Sequence, residues 1–457
     1  MPTSPETTAL LARCAEALDA ARAAGADDVE VIADASRSLT VGLQNNDLES
    51  LRSEEDLVFG LRVRVGARSG FATTNQPAEL RALAAEAVAL ARQSPPEEGL
   101  RLPTFADALI DDDGVDPVIE ALLGPAGGGP LAAQAVAWLQ AARGLDPRVV
   151  VDSGELSLSS THRVMLSSGG GLRSWRGAEA GGSLIGMAVD GAEIGSFTWD
   201  ADRVRAASAL EGALDGVARR FVGKCTAALG AGRGESFRGT ILIPADCVSD
   251  LLLDPLLELL SADRVRQGKS TLGQRLGAQI AVPDFTLTEE GPGFSNFALA
   301  PFDRDGAHRA RLPLVEGGVL RHILYDDTEA WRSGRPGQRS TGHGQGAASS
   351  TPAVGAACLS LAAGDQPWST LCAAQRAVLV PRFAGTVDPT SGDFSGVVKG
   401  GALLIDGEAH PIAEVSVAGN LYAALQAISG ISAERCLLMG TSLLPGLRVE
   451  DVSITAG

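Results

Sequence analysis

The chain reads as an α+β protein: a region of helices and antiparallel sheet, followed by a mostly antiparallel β region. Three observations predict this. Leu10, Leu11, Cys14, Leu18 and Ala21 recur at helical spacing near the start. Alternating apolar runs broken by Asn, Asp and Gly turns fill residues 29–73 and 149–198. From residue 278 onward short strands and turns dominate.

In order, Ser4-Pro5-Glu6 reads as a helix start with Pro at the first helical position, and Gly25 as its end. Residues 29–32, 39–43, 48–52 and 57–65 suggest strands. Asn45-Asn46-Asp47 is a turn, and the sheet continues over residues 70–73. A second helix is expected over 78–92, stopped by Ser94-Pro95-Pro96. GPAGGGP (124–130) is a loop or linker, and residues 131–142 suit a helix. A long amphipathic helix is expected over 201–229. GAGRGES (230–236) then makes a boundary between an N-terminal region, 1–230, with possible subregions 1–123 and 131–230, and a C-terminal region, 231–457. Beyond it come a short buried strand at 239–244, a helix capped by Asp246 that runs to residue 260, and a brief helix near 421–428. Residues 402–405 and 412–417 alternate around Asp406-Gly407, which reads as a hairpin.

Composition narrows the function. A net charge of −18 argues against nucleic acid, since phosphate binding needs clustered Lys and Arg. No uninterrupted apolar stretch is long enough for a bilayer, and MPTSPETTALL lacks the basic and apolar regions of a secretory signal. A cytoplasmic location without membrane contact is the expectation. The six cysteines are scattered with no CxxC and read as reduced, mostly buried thiols. The five histidines form no HxH, HxxxH or HExxH. The run Ser167-Ser168-Gly169-Gly170-Gly171 is not followed by Lys-Ser/Thr, so it reads as a turn between strands rather than a phosphate loop. Trp175 and Trp199 are expected in a core or a domain contact.

Several polar groups draw attention on residue type alone. Asp303 and Asp305 flank Arg304 in PFDRDG, where two carboxylates beside a cation suit either acid–base work or a side-chain-stabilised turn. His343 lies among small residues in STGHGQG (340–346), a loop that suits close backbone approach. Asp388, Asp393 and Ser395 share the loop DPTSGDFS.

Taken together, LESLRSEEDLVFGLRVRVGARSGFATTN (48–75), RVRQGKSTLGQRLG (264–277), PFDRDG (301–306), LVEGGVLRHIL (314–324), STGHG (340–344) and the segment 385–421 resemble, in order and spacing, the TldD/PmbA family. The family's catalytic subunit carries a zinc-binding HExxxH helix, in which histidines on neighbouring turns share the metal and Glu is the general base. The corresponding stretch here, ADCVSDLLLDPLLELL, has no histidine; Asp254, Pro255, Glu258 and Leu259 stand near the expected positions. Met439 stands where the family's C-terminal cysteine ligand is expected, and Cys436 lies three residues earlier. The resemblance is therefore to the PmbA (TldE) branch.

It implies a non-catalytic subunit of a heterodimeric zinc metallopeptidase, with no cofactor of its own. A TldD-like partner would supply the zinc, and the pair would act on extended, unfolded or modified-precursor peptides. No catalytic or metal residue is expected in this chain. The residues expected to face the peptide are Ser340, Thr341, Gly342, His343 and Gly344, together with Asp393, Phe394 and Ser395, within loops 340–346 and 389–396. The alternatives are an independent hydrolase using Asp303, His343 or Asp393, and a peptide-binding scaffold without catalysis.

Overall fold

A computed structural model of the chain describes residues 5–98, 100–111, 114–294, 299–388 and 390–456. Ser4 and Pro389 therefore lie outside the described residues. Two sheets organise the rest. The first is built on four long strands, two of them made from what the sequence suggests are separate short ones. Asp28–Gln44 and Asp47–Val65 form one continuous antiparallel hairpin. Asn45 and Asn46 turn it at φ 51° and 64°, the left-handed pair that a two-residue loop matched to strand twist requires. Val149–Ser167 and Leu172–Asp190 form the second hairpin. The order runs Arg68–Thr74, Asp47–Val65, Asp28–Gln44, Val149–Ser167, Leu172–Asp190. All these pairs are antiparallel.

Side chains alternate across a strand, so Asp28–Gln44 serves two faces. Val29, Val31 and Ala33 pack with helices Pro5–Ala23 and Leu80–Gln93. Leu39, Val41 and Leu43, on the same face, pack with helices Gly128–Leu145 and Ala207–Ala227. The alternate residues Glu30 and Ile32 face the other way and meet the second half of the chain. Gly25 closes the first helix at φ 101°, with Ala26 N–H bonded to Ala21 O, as expected. The helix expected over 201–229 begins later, at Ala207. Thr198–Val204 is a strand instead, taken by pairing with Leu172–Asp190.

The second sheet is largely antiparallel and centres on Ser442–Ala456, which pairs with Ile428–Leu438, Phe237–Ile243 and Val415–Asn420. Two parallel pairs interrupt the pattern, Phe237–Ile243 with Arg376–Leu379 and Leu359–Leu361 with Ser442–Ala456. The expected hairpin at Asp406-Gly407 closes differently. A two-residue turn, with φ of 48° and 86°, brings Glu408–Pro411 onto Ala402–Ile405. Val415–Asn420 pairs elsewhere, with Asp393–Val398 and the C-terminal strand, because Val415 and Val417 belong to the second core. That core packs on Leu251, Leu252, Leu253, Leu256 and Leu259.

Candidate functional site

Residues 301–306, singled out for their paired carboxylates, form a bolt between the two halves. Asp303 has no exposed surface. Its Oδ1 accepts from the N–H groups of Asp305 and Ala307, and its Oδ2 from Gly344 N–H at 2.8 Å and Ser340 Oγ at 3.4 Å. Arg304, also without exposed surface, pairs with Glu30 of the first sheet, as does Arg62. Arg62 also donates to Asp305 at 2.6 Å. Burial works against the charge on Glu30, yet Arg62 and Arg304 hold its pKa below the ordinary range. Around this knot Asp34 accepts from Arg163 and from Ala348 N–H, and Arg173 donates to Gly306 O. Trp175, half-buried, packs at the same junction with Phe302 and Ala348.

His343 belongs to the same construction. It is 2% exposed, its Nδ1 lies 2.8 Å from Thr341 Oγ1, and its Nε2 lies 3.9 Å from Glu289. Burial, then the charge of Arg309, lowers its pKa to about 3. Burial pushes Glu289 up to about 7, against two backbone N–H groups from Ala357 and Cys358 that favour the carboxylate. Burial and then Asp305 likewise push Asp303 up. These are shifted titrating groups in one place, the pattern that flags a catalytic site. Here the same burial that shifts them leaves Asp303, Glu289 and His343 with almost no surface for a substrate to touch.

The second expected peptide-facing stretch lies apart from the first. Asp393–Val398 is an inner strand, paired on both sides by Phe383–Val387 and Val415–Asn420, so it has no free edge for a peptide backbone. Phe394 is core, edge-on to Phe383. Asp393 and Ser395 are exposed, and Asp393 accepts from Asn420. No bond between this strand and residues 340–344 occurs among the described residues.

The helix expected to start at a capping Asp246 is broken into three. Ala245–Val248 is α-helical, Ser249–Leu253 forms a π-helical turn, and Asp254–Leu259 resumes the α-helix with Pro255 in its first turn. Asp246 caps nothing; it lies inside the first segment, paired with Lys224 at 2.5 Å. The π turn inserts a residue and shifts which side chains share a face. Asp246 and Asp250 line a small cavity of about 70 Å³ together with Met439, while Leu259, expected near that place, is fully buried in the core. Met439 itself is held at φ 50°. Burial raises the pKa of both Asp250 and Asp254. Among the described residues no group of three or more His, Cys, Asp or Glu side chains is placed to hold a metal ion, so the residues present do not fit a zinc site.

Beside that helix opens a cleft of about 730 Å³ between the two halves. Phe197, Arg220 and Lys224 come from one side, and Asp246, Trp368, Arg382 and Cys436 from the other. Lys224 spans it, 2.8 Å from Asp200 and 2.5 Å from Asp246. Burial opposes its charge, but Asp246 and then Asp200 hold its pKa up. Asp200, 4% exposed, also takes Arg220 at 2.8 Å. Trp368 lies against Gly446, where a Cβ would come 2.4 Å from the ring. The Cys436 thiol is raised by desolvation and by Asp246, so it is kept protonated at the wall. No sequence motif announces this cleft, because its residues come from eight separate segments. Trp199, expected in a core or a contact, is instead 46% exposed beside it.

Comparison with known proteins agrees with this architecture. Residues 236–456 match the family model of the PmbA/TldA metallopeptidase C-terminal domain, and residues 29–91 that of PmbA/TldA metallopeptidase domain 1. The chain is 26% identical over 193 residues to an uncharacterized protein of Methanocaldococcus jannaschii, covering 42% of this chain and 45% of that one. It is 27% identical over 230 residues to a metalloprotease of Methanothermobacter thermautotrophicus, covering 50% of each. The matched region thus spans about half the length of these relatives. In fold, the chain is similar to the crystal structure of TldE from Thermococcus kodakarensis, with a TM-score of 0.86 at 21% identity over 97% of this chain and 100% of that one.

Proposed function

The chain belongs to the PmbA/TldD metallopeptidase family and is TldE-like, and from that premise we propose that it is the non-catalytic subunit of a heterodimeric zinc peptidase. In this reading a TldD-like partner holds the zinc, and the pair cleaves extended peptides, either unfolded segments or modified precursors, in the cytoplasm. No helix among the described residues is long and apolar enough to cross a membrane, which is compatible with that setting. One observation carries the proposal: the stretch that corresponds to the metal-bearing helix of the family's catalytic branch has no histidine, and Asp246 and Asp250 line a small cavity there with Met439.

This chain's own residues then bind and position. The cleft at Phe197, Lys224 and Trp368 supplies a concave apolar surface of the size that ligand sites have. Asp393 and Ser395 offer a second, polar contact through their side chains. The buried state of Asp303 and His343 speaks against an independent hydrolase built on them.

The test is to purify the chain alone and with a partner bearing HExxxH, then measure zinc and peptide cleavage. The reading expects neither zinc nor turnover from the chain alone, and chelator-sensitive cleavage from the mixture. Stoichiometric zinc on the isolated chain, or robust cleavage by it, would overturn the reading.

A further inference from the structure

We propose that the cleft beside Trp368 and Arg382 is a binding site in its own right, for an extended peptide segment carrying a bulky apolar side chain next to a carboxylate. This rests on the reading of the chain as a peptide-handling subunit and names what it would recognise.

Three independent features point to this ligand. The first is apolar surface. Phe197, 39% exposed, lines the cleft, and Trp199, 46% exposed, lines the small cavity that adjoins it. Isolated exposed apolar residues need no explanation, but a patch continuous with a cleft of about 730 Å³ marks an interaction site. Trp368, Leu379 and Leu437 extend the apolar wall inward.

The second is charge. Arg220 and Lys224 are occupied by Asp200 and Asp246, and Lys399 by Glu414. Arg382 differs. It donates to the carbonyl of Phe197 at 2.8 Å and makes no ion pair among the described residues, although its charge reaches Asp250 across the adjoining cavity. A guanidinium beside apolar walls is a good receptor for one carboxylate, because its fork of donors is pre-organised.

The third is main chain. The strand Ile428–Leu438 pairs with Ser442–Ala456 on one side, and residues Gly364 and Gln366 bond to it on the other at Ser432 and Ala433. Past Ala433 no strand pairs with that outer edge among the described residues. Glu434, Cys436, Leu437 and Leu438 of this stretch line the cleft. An open edge of this kind accepts an extended backbone of any sequence, while the apolar wall and Arg382 select side chains.

The probe is a short fluorescein-labelled peptide of Ala and Gly with one central Phe-Asp pair and an amidated C-terminus. Its binding to the full chain, alone and without zinc, is followed by anisotropy. Replacing Phe-Asp by Phe-Asn should weaken binding about tenfold or more, the loss expected for a charge-assisted hydrogen bond. Arg382→Gln should weaken the Phe-Asp peptide by a similar factor and leave the Phe-Asn peptide unaffected, so the two losses do not add. A Phe-Asn peptide with a free C-terminus that recovers the affinity would identify a terminal carboxylate as the anchor. Ala-Asp should bind weakly, as the apolar pocket stays empty. Equal affinity for Phe-Asp and both Phe-Asn peptides would overturn the proposal, as would no binding of any peptide. The peptide-side changes require no altered protein, so misfolding of the variant does not blur the result. Pairing with a TldD-like subunit is scored separately by size-exclusion chromatography, so loss of that reading and loss of this one are distinguishable.

Discussion

Two charged regions join the same two halves of this molecule in opposite ways. At Glu30, Arg62, Arg304 and Asp305 the charges are dry: the first and third residues have no exposed surface, and each carboxylate meets an arginine. At Lys224, Asp246 and Arg382 the charges stand around an open cleft with apolar walls. The dry region contains the motifs that look most like chemistry, yet its groups are spent on one another. The open region has no motif, yet it keeps accessible surface and, in Arg382, a cation outside any ion pair among the described residues. The difference teaches that shifted titration alone does not locate function; access decides it.

Glu30→Ala gives the largest expected effect. Removing the carboxylate leaves two buried guanidiniums short of a partner, which costs about 3–5 kcal/mol. Urea unfolding measures it, and a loss under about 1 kcal/mol would mean the region is wetter than described.

Next comes Glu289→Gln. Gln still offers an oxygen to the N–H groups of Ala357 and Cys358 but does not titrate. Folding raises the pKa of Glu289 from 4.5 to about 7, so the native state favours the protonated acid. Its contribution is fully present below pH 4.5 and is lost as pH rises through about 7. The variant should therefore gain on the parent across that window, reaching at most about 3 kcal/mol by pH 8. His343, lowered to about 3, favours its neutral form and works in the opposite sense, adding stability as pH rises towards its unfolded value near 6.5. The difference between the two pH profiles isolates Glu289, and parallel profiles would remove it from the buried set.

Gly60→Ala tests the seam between the halves sterically. A Cβ there would come 2.0 Å from Ala348 O and 3.1 Å from Ile32 Cγ2, so the contact must open, at about 1–3 kcal/mol. Hydrogen exchange should show faster opening around Ala348 than in the core at Leu251–Leu253. Uniform exchange across both would make the seam part of the core.

The smallest effect belongs to the cleft. Arg382→Gln should change stability by no more than about 0.5 kcal/mol, because it gives up one exposed bond to a carbonyl. A loss of several kcal/mol would turn the cleft into a second structural bolt and erase the contrast.

Much of the fold was legible because its signals are local. Asn45-Asn46 announces a hairpin, Gly25 a helix end, and the periodicity of residues 10–21 a helix. The long strands were less so. Residues 33–38 of Asp28–Gln44 read as a break between two strands, yet they pair continuously with both neighbours. Polar residues such as Ser36 and Ser38 can stay in a strand whose ladder is complete on both sides. The site was half legible. Asp303, Arg304 and His343 were visible as unusual, but their role depends on residues far off in the chain, such as Glu30 and Arg62. Phe197, Lys224, Trp368 and Arg382 had no local signal at all.

By itself the sequence determined the α+β class, the turns, and a metal-helix stretch without histidine, since each depends on residue type and near neighbours. Tertiary structure alone decided which charges are sealed and which remain open. It also decided that Asp246 and Asp250, rather than Leu259, line a cavity with Met439. The physical reason is that burial and desolvation are set by what packs from elsewhere in the chain, and that the π-helical turn re-aims the side chains after it, Leu259 among them.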